Sequence, residues 1–230
     1  MPERYRGLVI DFGGVLTTSI AEAFRAFCER EGIEHDRLKA ILRSSYAVGT
    51  DPDAMVAMLE TGRLERTEFE QRLAAVLSEG LASPLDHTDL LARMLGGIRF
   101  DVPMVEAVHA ARGAGVRTAM LSNSWGVEGY PRPLLDVLFD HVVISGEVGM
   151  RKPDEGVFKL TARRLGLPPG DCAFVDDVRG NVEAAEAVGM RGVLHEDARR
   201  TIPQLEALLG IRLDRSDPGL VDTMPDEALR

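Results

Sequence analysis

One short stretch near the start, Leu8-Val9-Ile10-Asp11-Phe12-Gly13-Gly14-Val15-Leu16, constrains what this chain can fold into more than any other. Leu8 to Ile10 is too short for a helix and rich in branched side chains, so it predicts a buried strand. Asp11 then stands at the strand's carboxyl end, where open α/β sheets gather their chemistry. Gly13 and Gly14 let the backbone turn sharply and approach a ligand with no Cβ in the way. On this stretch alone, two readings of Asp11 stand level: a carboxylate facing a ligand, or a residue capping a turn.

Three later stretches also set a polar group against or near an apolar strand: Thr118-Ala119-Met120-Leu121-Ser122-Asn123, Arg151-Lys152-Pro153-Asp154, and Ala173-Phe174-Val175-Asp176-Asp177. An aspartate, a serine, a lysine and an aspartate pair, in that order, resemble the four motifs of the haloacid dehalogenase superfamily. The nearest match is its helical-cap branch of phosphatases, and the resemblance covers roughly residues 7 to 210. Four ordered motifs are far more specific than any one of them. One position departs from the pattern: most phosphatases of this family carry a second aspartate where this chain has Gly13.

The order of elements predicts an α/β fold. After Leu16, helices are expected from Ser19 to Arg30, Asp36 to Ser45, Asp51 to Glu60, Thr67 to Leu77 (opened by a Thr67–Glu70 capping box) and Asp86 to Leu95. No strand is expected from 17 to 97. From Asp101 strands alternate with helices: strands at Val116–Leu121, Val142–Ile144, Ala173–Val175 and Gly192–Leu194, and a last helix capped by Thr201. Such alternation means a parallel, Rossmann-like sheet with helices on both faces. Residues 1–16 and 98–212 then form the α/β core, and 17–97, an inserted helical block, resemble the family's cap domain. Its hinges are expected near Thr17 and near Ile98 to Asp101, and residues 213–230 read as a weakly structured acidic tail.

Phosphoryl transfer needs an in-line nucleophile, neutralised equatorial oxygens and help for the leaving group. Asp11 is the candidate nucleophile, through an aspartyl-phosphate. The resemblance implies Mg²⁺ held by Asp11, the main-chain carbonyl of Gly13 and Asp177, with Asp176 holding a metal-bound water. It places Lys152 against both nucleophile and phosphoryl oxygens, and Ser122 with the amide of Asn123 on the phosphoryl group. Blander readings exist: a turn for Asp176-Asp177 and for Ser122-Asn123, and an exposed lysine for Lys152. Adjacent acids at a strand end repel unless a cation joins them, which favours the metal. Asn181 either orients Asp177 or lies on a helix surface, and Trp125 either roofs the pocket or packs its loop. None of the five histidines shows metal-ligand spacing.

Gly13 can neither protonate a leaving oxygen nor activate water, functions worth ~10²–10⁴ in rate. Three outcomes are open for a phosphatase-like site. The substrate's leaving group needs little protonation (an anomeric sugar oxygen, an aryl or an acyl phosphate), a cap residue supplies the acid, or the protein binds phosphate without turnover. Displacement of halide from a 2-haloacid needs no acid, but dehalogenases use no metal, so the Asp176-Asp177 pair counts against it.

The formal net charge of −10 over 230 residues argues against a nucleic-acid surface, which needs a basic patch. A small phosphorylated metabolite remains compatible, because a metal and one lysine make a local positive site. Cys28 and Cys172 are expected as reduced core residues, and with no apolar run approaching a membrane span the chain reads as cytoplasmic.

Overall fold

The computed structural model describes residues 4–46, 55–126 and 129–213. The expected first strand forms as β1 (Gly7–Ile10), every residue of it buried. Five helices follow: α1 (Ile20–Glu31), α2 (His35–Tyr46), α3 (Met55–Glu60), α4 (Arg66–Ser78) and α5 (Leu90–Met94). They close around a hydrophobic cluster of their own that includes Phe27, Leu38, Phe69, Leu73, Leu77 and Leu90. Among the described residues, this block contains no strand; Thr17 makes one isolated antiparallel bridge with Phe100. The expected start of α3 at Asp51 lies outside the described residues.

Two helix starts in the block differ from expectation. Thr67 does not cap α4, which begins one residue earlier behind Glu65 with no side-chain cap bond. Glu70, the other half of the expected box, is buried; it pairs with Arg66 at 3.1 Å and accepts the Leu91 N–H at 3.0 Å, serving the neighbouring helix. Helix α5 is shorter than expected because Asp86 Oδ1 takes the Thr88 N–H at 2.9 Å, a local turn that competes with helix.

The chain then forms α6 (Val102–Gly113), capped by Asp101 through the Met104 N–H at 3.0 Å, β2 (Arg117–Ser122), α7 (Arg132–Leu138) and β3 (His141–Ile144). A short α8 (Ser145–Val148), with no counterpart in the sequence reading, precedes α9 (Glu155–Arg164). After β4 (Cys172–Asp176), α10 (Arg179–Ala187) and β5 (Arg191–Leu194) comes α11 (Ala198–Leu209). Asp197, not Thr201, caps α11, accepting the Arg200 N–H at 2.9 Å. Thr201 is buried inside the helix with its hydroxyl 2.9 Å from His195 Nδ1. Leu213, assigned to the tail, packs in the core; residues 214–230 lie outside the described residues.

All five strands run parallel in the order β3-β2-β1-β4-β5. Alternation along β1 shows why the strands read as unbroken apolar runs. Leu8 and Ile10 pack with residues of α6, α7 and α11, while Val9 faces Val157, Phe158 and Ala185 of α9 and α10. Both sheet faces are therefore covered. Cys28 and Cys172 are buried and free, and among the described residues no helix is long and apolar enough to cross a membrane.

The strand order reverses at β1, whose two neighbours are β2 and β4. The crevice at the carboxyl ends of β1 and β4 is a topological switch point, and Asp11 and Asp176 stand at its lip. Behind it, Phe158 and Phe174 meet edge-to-face at 5.2 Å, both fully buried. Phe158→Ala is expected to cost about 3–5 kcal/mol in urea unfolding; a cost below about 1 kcal/mol would contradict the packing of α9 on the sheet.

Candidate active site

Asp11 directly follows β1, its N–H bonded to Val175 O at 3.0 Å, which fixes it beside the end of β4. Its Oδ1 accepts the Phe12 N–H at 2.7 Å and lies 2.7 Å from Lys152 Nζ. The same ammonium lies 2.7 Å from Asp176 Oδ2. Lys152 is 1% exposed; such a charge is tolerated in the interior only because two carboxylates hold it. Burial lowers the lysine pKa, but Asp11 and Asp176 more than offset it and hold it above the ordinary lysine value.

A second layer fixes these groups. The Asn123 side chain clamps the Lys152 main chain, accepting its N–H at 2.8 Å and donating to its carbonyl at 2.9 Å. Asn181 donates to both oxygens of Asp176, at 3.0 and 3.1 Å, and the Val178 N–H reaches Oδ1 at 2.8 Å. Asn181 was expected either to orient Asp177 or to lie on a helix surface; it does neither and holds Asp176, because α10 starts directly under the buried carboxylate.

Asp177 is the exposed member. Oxygens of Asp11, Asp176 and Asp177 lie within 4.8 Å of one another, a hard, anionic donor set suited to Mg²⁺. Gly14 makes room for it: a Cβ there would stand 2.4 Å from Asp177 Oδ2, and its φ of 79° favours glycine as well. Burial pushes the Asp11 carboxyl from 3.8 up to about 7, opposed by Lys152 and reinforced by Asp176 and Asp177. Asp177 rises from 3.8 to about 6 through desolvation and Asp176, again opposed by Lys152. Three carboxylates facing one ammonium thus leave a site short of positive charge.

Asp11, Gly13, Ser122, Asn123, Lys152 and Asp177 all line one cavity of about 1110 Å³ between the sheet edge and the helical block, with Asp176 just behind it. Trp125 both lines this cavity and packs into the block, 5.4 Å from Phe24 and 6.0 Å from Phe69 between ring centroids.

Two residues of the site escaped the sequence reading. Tyr130 places its hydroxyl 2.8 Å from Ser122 Oγ, and burial pushes its phenol up to about 12. Its place in a loop gave no periodic signal. Glu60, from α3, is 1% exposed, receives Trp125 Nε1 at 3.2 Å and Asn123 Nδ2 at 3.3 Å, and forms an ion pair with Arg151, Nε at 2.8 Å. An acid at a helix C-terminus opposes the macrodipole, so its position hinted at partners elsewhere. Among the described residues, no histidine lines the cavity.

The chain is similar to known proteins over most of its length. The sequence model of the haloacid dehalogenase-like hydrolases matches residues 5–189. The chain is 27% identical over 220 residues to mouse acyl-CoA dehydrogenase family member 10, covering 93% of this chain but only 20% of that protein. It is 27% identical to the fructose-1-phosphate phosphatase YqaB of Escherichia coli, covering 84% of this chain and 97% of the enzyme. A predicted HAD-like family hydrolase of Porphyromonas gingivalis superposes with a TM-score of 0.64 at 26% identity, covering 90% of this chain and 98% of the other.

The raised carboxyls set the pH dependence of the metal-free protein. The unfolded chain loses these protons near 3.8, the folded chain only near 6 and 7. Their contribution to stability is therefore fully present below about pH 4 and declines as pH rises through about 7. In EDTA the melting temperature should fall over that window, with Asp177→Asn flattening part of the fall. Millimolar Mg²⁺ should raise it more at pH 7.5 than at pH 5, and Asp177→Ala should remove most of that rise. No response of the parent to Mg²⁺ at either pH would count against a metal site and revive the halide-displacing reading.

Proposed function

The chain belongs to the haloacid dehalogenase-like hydrolases, and within that family we propose that it is a Mg²⁺-dependent phosphate monoesterase acting on a small phosphorylated compound through Asp11. The observation that carries this reading is the Lys152 ammonium shared at 2.7 Å by Asp11 and Asp176, with Asp177 completing a three-carboxylate cluster. Halide displacement needs no cation to bridge two anions, so a carboxylate cluster suited to a metal counts against it. The phosphatase similarity supports the same side.

In this reading Asp11, Asp177 and the Gly13 carbonyl would hold Mg²⁺, with Asp176 behind them; when bound, the ion supplies charge neutralisation for the phosphoryl oxygens. The residues do the rest. Lys152 and the Phe12 N–H both engage Asp11 Oδ1, which leaves Oδ2 for attack on phosphorus. Lys152 also offers its charge to the phosphoryl oxygens. Tyr130 stays protonated and donates to Ser122 Oγ, leaving the serine proton for the phosphoryl group. The helical block of residues 17–97 serves as a cap: it closes over Asp11 and excludes water, hinged where Thr18 N–H meets Arg99 O at 2.8 Å and Asp101 N–H meets Leu16 O at 2.9 Å.

A second reading rests on Gly13. With no side chain to protonate the leaving oxygen, the site would bind phosphate and turn over slowly or not at all, as a regulatory module does. Glu60 is the one acid of the helical block in the described lining, and Arg151, Trp125 and Asn123 already engage it, so it is no ready substitute.

Leaving-group dependence separates the readings. Initial rates should climb steeply as the leaving group becomes more acidic, and phosphoenzyme on Asp11 should be visible by mass spectrometry of quenched enzyme. Gly13 has no left-handed φ, and a Cβ there would meet only Ile20 Cγ1 at 3.2 Å and Cδ1 at 3.3 Å. Gly13→Asp is therefore tolerable, more so with Ile20→Ala, and should flatten the dependence. Inactivity on every ester with phosphate still bound would favour the binding module. Within an active enzyme, Tyr130→Phe should lower kcat/KM about fivefold, the equivalent of one hydrogen bond. It should have little further effect on Ser122→Ala, a non-additivity that a merely structural tyrosine would not give.

A further inference from the structure

The cavity is larger and more apolar than phosphate binding requires. Its volume of about 1110 Å³ stands at the top of the ~300–1,000 Å³ usual for small-molecule pockets. Ile20, Phe24, Leu91, Leu95, Ile98 and Trp125 line it.

Several of the polar side chains that line it are already engaged. Glu60 receives Trp125 Nε1 and Asn123 Nδ2 and pairs with Arg151. Thr61 Oγ1 donates to Ala57 O at 2.7 Å, and Thr17 Oγ1 donates to Thr18 O while accepting the Gly14 N–H, both at 3.1 Å. Arg66 pairs with Glu70. A polyol would meet several groups already bonded within the protein and a large share of hydrocarbon, and each unpaired hydroxyl weakens binding. Beside residue 13, where a side chain would begin, the space holds the hydrocarbon of Ile20.

We propose that the site takes phosphate monoesters of bulky apolar aryl alcohols, with the hydrocarbon seated among Phe24, Leu91, Leu95 and Trp125. The apolar lining selects the hydrocarbon, and Gly13 selects an oxygen acidic enough to leave unaided. The inference rests on the phosphatase reading for the place of the phosphoryl group. In the first step the Asp11 Oδ2–P bond forms as the P–O(aryl) bond breaks, and the phenolate leaves with that electron pair and takes its proton from solvent. Water then attacks phosphorus, restoring Asp11 and releasing inorganic phosphate.

Calorimetric titration of the Mg²⁺-loaded full chain with arylphosphonates, which cannot be hydrolysed, reads the proposal without turnover. Along phenyl-, 4-butylphenyl- and 4-octylphenylphosphonate, affinity should rise about three- to fourfold per methylene until the cavity is full. Leu95→Gln should shrink that increment. Glucose 1-phosphate should bind no more tightly than inorganic phosphate. A flat series with inorganic phosphate still bound, or glucose 1-phosphate outbinding the arylphosphonates, overturns the inference and leaves the phosphatase reading intact. Failure of inorganic phosphate and every phosphonate to bind overturns both. A rising series without hydrolysis of any aryl phosphate upholds the ligand class and overturns the catalytic reading.

Discussion

The interior ammonium of Lys152 is the interaction on which the rest of the structure depends. Removed from water, it is held by one oxygen of Asp11 and one of Asp176, each at 2.7 Å. Those carboxylates come from the ends of β1 and β4, which pair Ile10 against Val175. The sheet order that makes β1 and β4 neighbours therefore also creates the charge balance. Everything around the lysine serves its position: Asn123 grips its main chain, Asn181 and the start of α10 hold Asp176, and the Phe174 ring lies 5.8 Å beneath the charge.

The same grip ties the helical block to the chemistry. Glu60, at the last turn of α3, shares the Asn123 amide that clamps Lys152 and pairs with Arg151 next to it. The Ser145 hydroxyl donates to the Glu60 carbonyl, and the Ser124 N–H donates to that same hydroxyl at 2.8 Å. A buried carboxylate at a helix C-terminus gains nothing from its own helix. Its stabilisation comes from the loops after β2 and β3, so the position of α3 and the position of Lys152 are mechanically linked.

What was legible in the sequence followed from periodicity and order. Short branched runs gave all five strands, and the four motifs placed Asp11, Ser122, Lys152 and Asp177 at one crevice, because a parallel sheet aligns its carboxyl ends. What was not legible depended on distant partners. The Thr67–Glu70 box failed because Glu70 serves Leu91, and Thr201 lost its capping role because its hydroxyl faces His195. Tyr130 and Glu60 act through contacts that no local pattern encodes. That Asn181 serves Asp176 was not among the expected alternatives, because Asp176 and Asp177, adjacent in sequence, meet opposite fates: one fully buried, the other exposed.

The paired glycines after Phe12 look interchangeable in sequence and differ in physical cause. Gly14 is forced: its φ is 79°, and any side chain would collide with the Asp177 carboxylate. Gly13 is not. Its backbone suits any residue, and the neighbour a Cβ would touch is the half-buried, aliphatic Ile20. Conformation explains the first glycine and leaves the second to chemistry. An aspartate at position 13 would set a charge beside the hydrocarbon of Ile20, at a desolvation cost, and Lys152 is already shared by two carboxylates. Glycine at 13 and isoleucine at 20 are thus one local solution, in which this side of the cavity carries hydrocarbon and no acid at position 13.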